Sequence, residues 1–284
     1  MEKTVELRNK IKMPRLILGV PMICEAAYVT KDLFRKTVIN AIEFGICGLD
    51  TSHDYGQSEP ILGKIITKMI KNGLQRESIF ITTKIGNTQQ TEGNIERYVD
   101  EALRRLKTDY LDAMLLHWPY PDVFIRNWEK LVRVYETGKV RSIGIANAKI
   151  RHLEKIEKAQ LMLPHILQTE IHPLHTSEEE QLYCNEKGIS IQACTSLCSM
   201  IPLIRNNEVL NEVADNHGKA VAQIILRWHI QKNLCPIFRS YNEKHLQEMA
   251  SVFDFELSKN ELEAISNQNI DYRYHPESVN CPGF

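Results

Sequence analysis

Short apolar runs alternate with longer stretches of helical period along most of the chain. The short runs have the length and β-branched content of buried strands, whereas the longer stretches place apolar residues on one face. The first of these stretches predicts a helix from a Thr30 N-cap to Phe44. An N-terminal β-hairpin is predicted before them over Val5–Met13, with its turn near Asn9 and Lys10.

The pattern predicts eight strands, each followed by helix. The strands are Leu16–Val20, Ile46–Asp50, Ile79–Lys84, Leu111–His117, Val140–Asn147, Ile166–Ile171, Ile189–Thr195 and Cys235–Arg239. The later helices are Ser58–Lys71, Glu92–Leu106, Val123–Thr137, Arg151–Lys158, Ser177–Lys187, Asn207–His217, Ala220–Gln231, Glu243–Phe253 and Lys259–Asn267. Such units pair their strands in parallel and close into a (β/α)8 TIM barrel. The rival fold, a doubly wound sheet, needs a GxGxxG turn after the first strand, and only Gly19 stands there.

Composition narrows the class of protein further. The 284 residues, 43% hydrophobic and 25% charged, predict one folded barrel domain over residues 1–284. Acidic residues number 36 against 35 basic ones, so nothing indicates binding to nucleic acid or to an anionic membrane. No apolar run approaches the roughly 18 residues of a membrane span, and the N-terminal segment lacks the apolar centre of a signal peptide. The seven cysteines include no CxxC pair, which predicts reduced thiols in a cytoplasmic protein and no metal site.

Polar side chains end several of the predicted strands. In a barrel of this class the active site lies at the C-terminal ends of the strands. The residues at these ends or just beyond them are Asp50, Tyr55, Lys84, His117, Asn147, Gln168, Arg239 and Ser240. Each alone has an ordinary structural explanation, such as a loop cap, a solvated lysine, a core histidine or a barrel-filling amide. Charged and amide groups that end apolar strands are costly unless paired, so their occurrence on one rim indicates a site.

Four of these residues suit the reduction of a carbonyl group. Hydride arriving on a carbonyl carbon leaves an alkoxide that needs a proton, which Tyr55 can supply. The reference pKa of a tyrosine, about 10, is lowered by a nearby ammonium such as that of Lys84. Asp50 can hold that lysine charged and in place, and His117 can donate a hydrogen bond to the carbonyl oxygen.

Several motifs resemble the aldo-keto reductase superfamily. The segment "GLDTSHDYGQSEPILGK" is similar to the family's Asp-Thr-Ala…Tyr-Gly-x-Ser-Glu…Leu-Gly segment. The motifs "ITTK", "RLKTDYLDAMLLHWP", "GKVRSIGIAN", "QTEIHP" and "AQIILRW" follow in the family's order, from about residue 12 to 270. The resemblance implies that Tyr55 exchanges the proton, that Lys84 and Asp50 tune it, and that His117 orients the substrate carbonyl. Trp118 is implied to line the substrate pocket.

The resemblance also implies a nicotinamide cofactor, NADPH in preference to NADH, with NADH left open as an alternative. The implied cofactor-binding residues are Gly19, Asn147, Gln168, Cys194, Arg239, Ser240 and His245. Arg239 and Ser240 match the family's pair for the adenosine 2′-phosphate, and a guanidinium is a good phosphate partner. The chain departs from the family at four points near the cofactor, one of which is Phe238, where proline is usual. Ala146 stands where serine is usual, Cys194 replaces a tyrosine that stacks on the nicotinamide, and His245 stands where arginine is common.

The function expected from these residues is NADPH-dependent reduction of an aldehyde or ketone, or the reverse reaction on an alcohol. The departures near the nicotinamide leave an alternative open, in which a cofactor-binding barrel acts as a regulatory subunit or on a specialised biosynthetic substrate. The expected partner is a small carbonyl or alcohol substrate, and the sequence does not indicate an oligomeric state.

The tail from Asn269 to Phe284 lacks helical period. By the resemblance it folds over the active rim, and the alternative is a packed terminus.

Two Tyr-x-x-x-Lys patterns fit the catalytic pair of short-chain dehydrogenases. They are Tyr135 with Lys139 and Tyr183 with Lys187. Both lie at predicted helix ends away from the active rim, and no Gly-rich turn accompanies them. We therefore interpret both as chance matches.

Overall fold

A computed structural model of the chain describes residues 2–20 and 29–275. Its eight central strands are parallel and close into a barrel, in which each strand pairs with the next in sequence and the last pairs with the first. The hairpin strands are β1 (Thr4–Glu6) and β2 (Lys12–Pro14), and the barrel strands are β3 (Ile17–Gly19), β4 (Gly48–Asp50), β5 (Phe80–Ile85), β6 (Ala113–Leu116), β7 (Ile143–Ala146), β8 (Ile166–Glu170), β9 (Ser190–Cys194) and β10 (Cys235–Phe238). The predicted TIM barrel and its N-terminal hairpin are therefore confirmed.

Helices follow the strands and surround the barrel. They are α1 (Lys31–Glu43), α2 (Ser58–Lys71), α3 (Asn87–Glu92), α4 (Ile95–Leu106), α5 (Phe124–Glu136), α6 (Ile150–Lys158), α7 (Glu178–Lys187), α8 (Pro202–Arg205), α9 (Glu208–His217), α10 (Val221–Gln231), α11 (Glu243–Ala250) and α12 (Lys259–Ser266). Thr30 caps α1 as predicted, because its side chain accepts a hydrogen bond from the Leu33 N–H. The apolar faces of the helices pack on the outer faces of the strands in one continuous core.

The predicted helix Glu92–Leu106 is wrong at its beginning. Glu92 is instead the last residue of the short helix α3, and α4 begins at Ile95, after Gly93 and Asn94. Gly93 adopts a φ of 71°, which ends α3, and the Asn94 side chain accepts from the Arg97 N–H to begin α4. The four-residue helix α8 is a second element that the sequence pattern does not predict.

The hairpin covers the N-terminal end of the barrel. Leu7 and Met13 are buried there among interior side chains of the strands, such as Ile17 and Phe80. Since this end is filled by apolar side chains, the open end is the one at which the strands finish, where the candidate residues lie.

The described part of the tail reaches that open end. The N–H groups of Ile270 and Tyr272 donate to the Leu174 carbonyl, in the loop after β8. The N–H groups of Tyr274 and His275 donate to the Glu170 carboxylate, at 2.5 and 3.0 Å. Residues 276–284, on which the rest of the tail prediction falls, lie outside the described residues.

Two global features concern membranes and metals. Within residues 2–20 and 29–275, no helix is long and apolar enough to cross a membrane. Across the same ranges, no three His, Cys, Asp or Glu side chains come together in a group that could hold a metal ion.

Candidate active site

A buried ion pair joins the ends of β4 and β5. The Lys84 ammonium lies 2.7 and 2.8 Å from the two oxygens of Asp50, and it donates a third hydrogen bond of 2.9 Å to the Thr51 carbonyl. Both side chains are almost fully buried. All three N–H groups of the ammonium are thus used, which is what a buried charge requires.

The pairing keeps Lys84 charged. Burial by itself lowers the pKa of Lys84, but the Asp50 carboxylate in contact with it raises that pKa above its ordinary value. The ion pair is therefore a fixed dipole beneath the mouth of the barrel.

Tyr55 lies above this pair in a single 3₁₀ turn, His53–Tyr55. The Ser52 side chain caps the turn, and Gly56, with a φ of 63°, ends it. The Lys84 ammonium is 5.2 Å from the centre of the Tyr55 ring. The turn therefore places the Tyr55 ring near the Lys84 ammonium.

The pKa of Tyr55 depends on burial as well as on the charge of Lys84. Burial raises the pKa of this phenol above its ordinary value, and the charge of Lys84 offsets the rise only in part because Asp50 opposes it. The effect of the Lys84 charge on this pKa therefore has the predicted sign, but burial outweighs it and the net shift is upward. Tyr55 holds its proton at neutral pH.

His117 follows β6 and completes the group. Its ring meets the Tyr55 ring edge to face, with the ring centres 6.0 Å apart. The Nδ1 atom of His117 lies 2.8 Å from Oδ2 of Asp54 and 3.3 Å from Oγ of Ser52. Backbone contacts of His117 with Ile85, and with the Asn147 side chain at 3.1 Å, hold its main chain.

An amide network lies on the other side of Asp50. Nε2 of Gln168 donates to Oδ2 of Asp50 at 2.9 Å and to Oε1 of Gln192 at 2.8 Å. These two bonds use both N–H groups of the Gln168 amide, so its carbonyl oxygen is the group that remains for a ligand. Sequence reasoning did not select Asp54 or Gln192. The signals for them were an acid directly before Tyr55 and an inward-facing position two residues before Cys194.

The predicted nicotinamide-side residues lie on the neighbouring strand ends. Asn147 follows β7 in the left-handed region, with a φ of 60°. Cys194 ends β9 and pairs in register with Glu170. Burial raises the pKa of the Cys194 thiol to about 12, so the group is an uncharged thiol at neutral pH. Ala146 is buried in β7 and offers no hydroxyl.

The predicted phosphate-side residues gather beyond β10. Arg239 is exposed, and its charge reaches Tyr55 strongly enough to act against the rise in that pKa. A Cβ on Gly19 would lie 3.3 Å from Cγ2 of Ile237 and 3.9 Å from Nε of Arg239, so Gly19 lies next to the guanidinium. The Ser240 hydroxyl accepts from the Asn242 N–H, next to the N-terminus of α11, and His245 is exposed in the first turn of that helix.

This second group of residues fits a nucleotide phosphate. Arg239 makes no ion pair within residues 2–20 and 29–275. A guanidinium without a carboxylate partner, a hydroxyl and the N-terminus of a helix all favour an anion. Trp118, predicted to line the substrate pocket, is buried next to His117 at the same end of the barrel.

Comparisons with known proteins agree with the fold and the motifs. The Aldo/keto reductase family model matches residues 15–201 and 202–270. A glyoxal reductase of Bacillus subtilis (strain 168) is 35% identical over 277 residues, covering 97% of this chain and 96% of that protein. A methylglyoxal reductase of Yersinia pestis is 31% identical, with 98% and 96% covered.

Solved structures agree as well. An aldo-keto reductase enzyme from a Medee basin deep-sea metagenome library is 29% identical, with a TM-score of 0.87 over 95% of this chain and 96% of that one. An aldo/keto reductase from Brucella melitensis is 33% identical, with a TM-score of 0.84 over 94% and 99%. These relatives do not favour the alternative of a regulatory barrel. The chain belongs to the aldo/keto reductase family and is an oxidoreductase enzyme of carbonyl reduction.

Proposed function

We propose that this chain reduces small aldehydes and vicinal dicarbonyl compounds to alcohols with NADPH, and that Tyr55 donates the proton. The observation that carries the proposal is the buried pair of Lys84 and Asp50 directly beneath Tyr55. The relatives named as glyoxal and methylglyoxal reductases support the substrate class. When bound, the nicotinamide supplies the hydride, and the reaction also runs in reverse on an alcohol.

The raised pKa of Tyr55 suits a proton donor. A phenol that stays protonated at neutral pH carries a proton for the developing alkoxide. Once that proton leaves, the nearby Lys84 ammonium stabilises the phenolate by charge attraction. Asp50 keeps the lysine charged and aimed, so it contributes without touching the substrate.

Substrate orientation is assigned to His117 and Trp118. Both lie at the end of β6, where the His117 ring meets Tyr55. A hydrogen bond from His117 to the carbonyl oxygen polarises it and brings that oxygen near the phenol. Trp118 provides an apolar wall that excludes water from the reacting group.

The cofactor is assigned to two sets of residues. Asn147 and Gln168 hold the nicotinamide carboxamide, Gln168 through its remaining carbonyl oxygen, and Cys194 contacts the ring with its neutral sulfur. The second set takes the adenosine 2′-phosphate, which favours NADPH over NADH. It consists of Gly19, Arg239, Ser240 and His245.

Replacement of Tyr55 by phenylalanine tests the proton assignment. We expect Tyr55→Phe to lower the turnover number for methylglyoxal by at least about 100-fold, because the ring stays and only the proton is lost. NADPH affinity, measured by protein fluorescence, stays near the wild-type value. The control is Tyr183→Phe, which removes a hydroxyl bonded to Glu157 on the outer surface and keeps full activity. Turnover of Tyr55→Phe at the wild-type rate would show that another group donates the proton.

Replacement of Arg239 by alanine tests the preference for NADPH. We expect Arg239→Ala to weaken NADPH binding by about tenfold or more and to leave NADH binding nearly unchanged, since only NADPH carries the 2′-phosphate. Arg133→Ala is the control, because that exposed arginine pairs with Glu129 on α5. An equal loss for both nucleotides, or for neither, contradicts the assignment.

The extent of the domain and the location of the protein are further parts of the proposal. We propose that residues 1–284 form one domain, which limited proteolysis tests by the absence of a stable smaller fragment. We also propose a reducing cytoplasmic location, supported by free thiols at Cys47, Cys184, Cys194, Cys198 and Cys235. Cell fractionation tests that location.

A further inference from the structure

The Asp54 carboxylate contacts His117 directly, and the function proposed above gives it no role. Oδ2 of Asp54 is 2.8 Å from Nδ1 of His117. The carboxylate also lies against Gly86, after β5, where a Cβ would come within 2.1 Å of Oδ1. The contact therefore depends on the turn that carries Tyr55 and on a glycine that leaves room for the acid.

The charge of Asp54 determines which atom of His117 holds a proton. Burial raises the pKa of Asp54, but the hydrogen bond and charge of His117, with smaller effects of His53 and Lys84, bring that pKa below its ordinary value. An ionised carboxylate only accepts hydrogen bonds, so Nδ1 of His117 must carry the proton. A neutral imidazole has a single N–H, so Nε2 can donate to a carbonyl only when the ring holds both protons.

We propose that Asp54 is a positioning residue, which holds His117 with both ring nitrogens protonated and presents Nε2–H to the substrate oxygen. This proposal rests on the proposed function, in which His117 binds the carbonyl. The carboxylate offsets the charge of the imidazolium and fixes the plane of the ring through the 2.8 Å bond. An imidazolium stabilises negative charge on the reacting oxygen more strongly than a neutral ring does.

Other charged groups around the pair do not replace Asp54. Four titratable groups face the pair of Asp54 and His117. They are His53 and Tyr55 in the turn, Asp50 at the end of β4 and Lys84 in β5. Tyr55 is neutral, and the opposite charges of Lys84 and Asp50 largely cancel in their ion pair. From β7 the nearest contact is the uncharged Asn147 amide. Among the residues that the structure describes, Asp54 is thus the carboxylate in contact with the His117 ring.

The first test is the pH dependence of kcat/KM for methylglyoxal reduction at saturating NADPH. Activity requires a proton on Nε2 of His117, so kcat/KM falls as pH rises. The Asp54 carboxylate moves this fall to higher pH. We expect Asp54→Asn to move the alkaline limb down by about 1 pH unit, the lower end of the effect of an opposite charge in contact, because the Asp54 side chain is 40% exposed and solvent screens its charge. Above the limb this corresponds to a tenfold lower kcat/KM. The control Glu261→Gln removes the carboxylate that lies 2.9 Å from His217, far from the site, and leaves the profile unchanged.

A second variant disturbs the contact between Asp54 and His117 without replacing Asp54. Gly86→Ala places a methyl group where Oδ1 of Asp54 lies, and the φ of Gly86, −71°, suits alanine. We expect the same downward shift of the alkaline limb as in Asp54→Asn. A loss of activity that is equal at every pH in both variants overturns the proposal, because it indicates a packing role alone.

Nitrogen NMR of the histidine rings provides a readout that needs no turnover. The signals of His117 are assigned by their loss in His117→Gln. We expect both ring nitrogens of His117 to carry protons at neutral pH in the wild-type protein. A lone pair at either ring nitrogen overturns the proposal. A protein that reduces none of the carbonyl compounds, yet keeps the Nδ1 proton, contradicts the proposed function and supports the contact with Asp54.

Discussion

Removal of the Lys84 charge gives the most direct physical test of the site. The substitution Lys84→Met keeps the length of the side chain and deletes the ammonium, which makes three hydrogen bonds. Asp50 then remains almost fully buried, with the Gln168 amide as its partner at 2.9 Å. A buried charge without its counter-ion is destabilising, so the variant loses stability as well as activity.

The magnitude follows from the burial of the two groups. The side chain of Lys84 is 0% exposed and that of Asp50 is 4% exposed, so solvent screens the pair very little. Removing one partner of such a pair costs about 3–5 kcal/mol. With a urea dependence of about 3 kcal/mol per molar, the unfolding midpoint falls by about 1 M or more. The control Lys187→Met breaks a partly exposed pair with Glu157 and has a smaller effect, because solvent screens that pair.

The assay is urea unfolding followed by circular dichroism, with Asp50→Asn and the double variant included. Because the double variant leaves no uncompensated charge, we expect it to be more stable than the sum of the single effects by about 1–3 kcal/mol. Strictly additive effects, or a loss below about 1 kcal/mol in Lys84→Met, refute the reasoning.

The contribution of Lys84 to stability depends on pH because folding raises its pKa. The contribution is complete below the pKa of the unfolded state, about 10.4, and is lost as pH rises through the pKa of the folded state.

Two further predictions concern packing and acid stability. A Cβ at Gly63 in α2 would lie 2.4 Å from the Arg105 carbonyl oxygen, so we expect Gly63→Ala to force α2 and α4 apart and cost about 1–3 kcal/mol. An equal melting temperature for Gly63→Ala and for Lys64→Ala, on the exposed face, contradicts this. Burial lowers the pKa of His165 to about 4, so its contribution to stability is lost as pH falls from about 6.5 towards about 4, by up to roughly 3 kcal/mol. The measurement is the urea unfolding midpoint as a function of pH, and we expect it to fall less steeply in His165→Asn. An unchanged pH dependence shows that His165 does not cause the loss of stability.

The barrel could be predicted because its strands and helices have different hydrophobic periods. Strands buried on both faces are short apolar runs, so β4 and β8 fall within the predicted ranges. The start of α4 could not be predicted in the same way. Gly93 and Asn94 are compatible with the interior of a longer polar helix, and the break depends on the left-handed conformation of Gly93 in the folded loop.

The candidate site shows the same division. The structure brings Asp50, Tyr55 and Lys84 into contact, with the His117 ring at the edge of Tyr55. It also brings Asp54 to His117, a contact between residues separated by 63 positions in sequence. Adjacent positions on one short turn can point to different partners, and only the geometry of the turn decides which.

The sequence by itself determined the order of strands and helices, the polar residues at the strand ends and the family, because these depend on residue types and their spacing. Only the tertiary structure decided the direction of the pKa shift of Tyr55, because burial of the phenol and the screening of Lys84 by Asp50 compete at distances that spacing does not contain. Only the structure decided that the Gln168 amide donates both of its N–H groups, to Asp50 and to Gln192. Hydrogen bonds and electrostatic energies depend on separations of a few ångströms between strands, and closure of the barrel sets those separations.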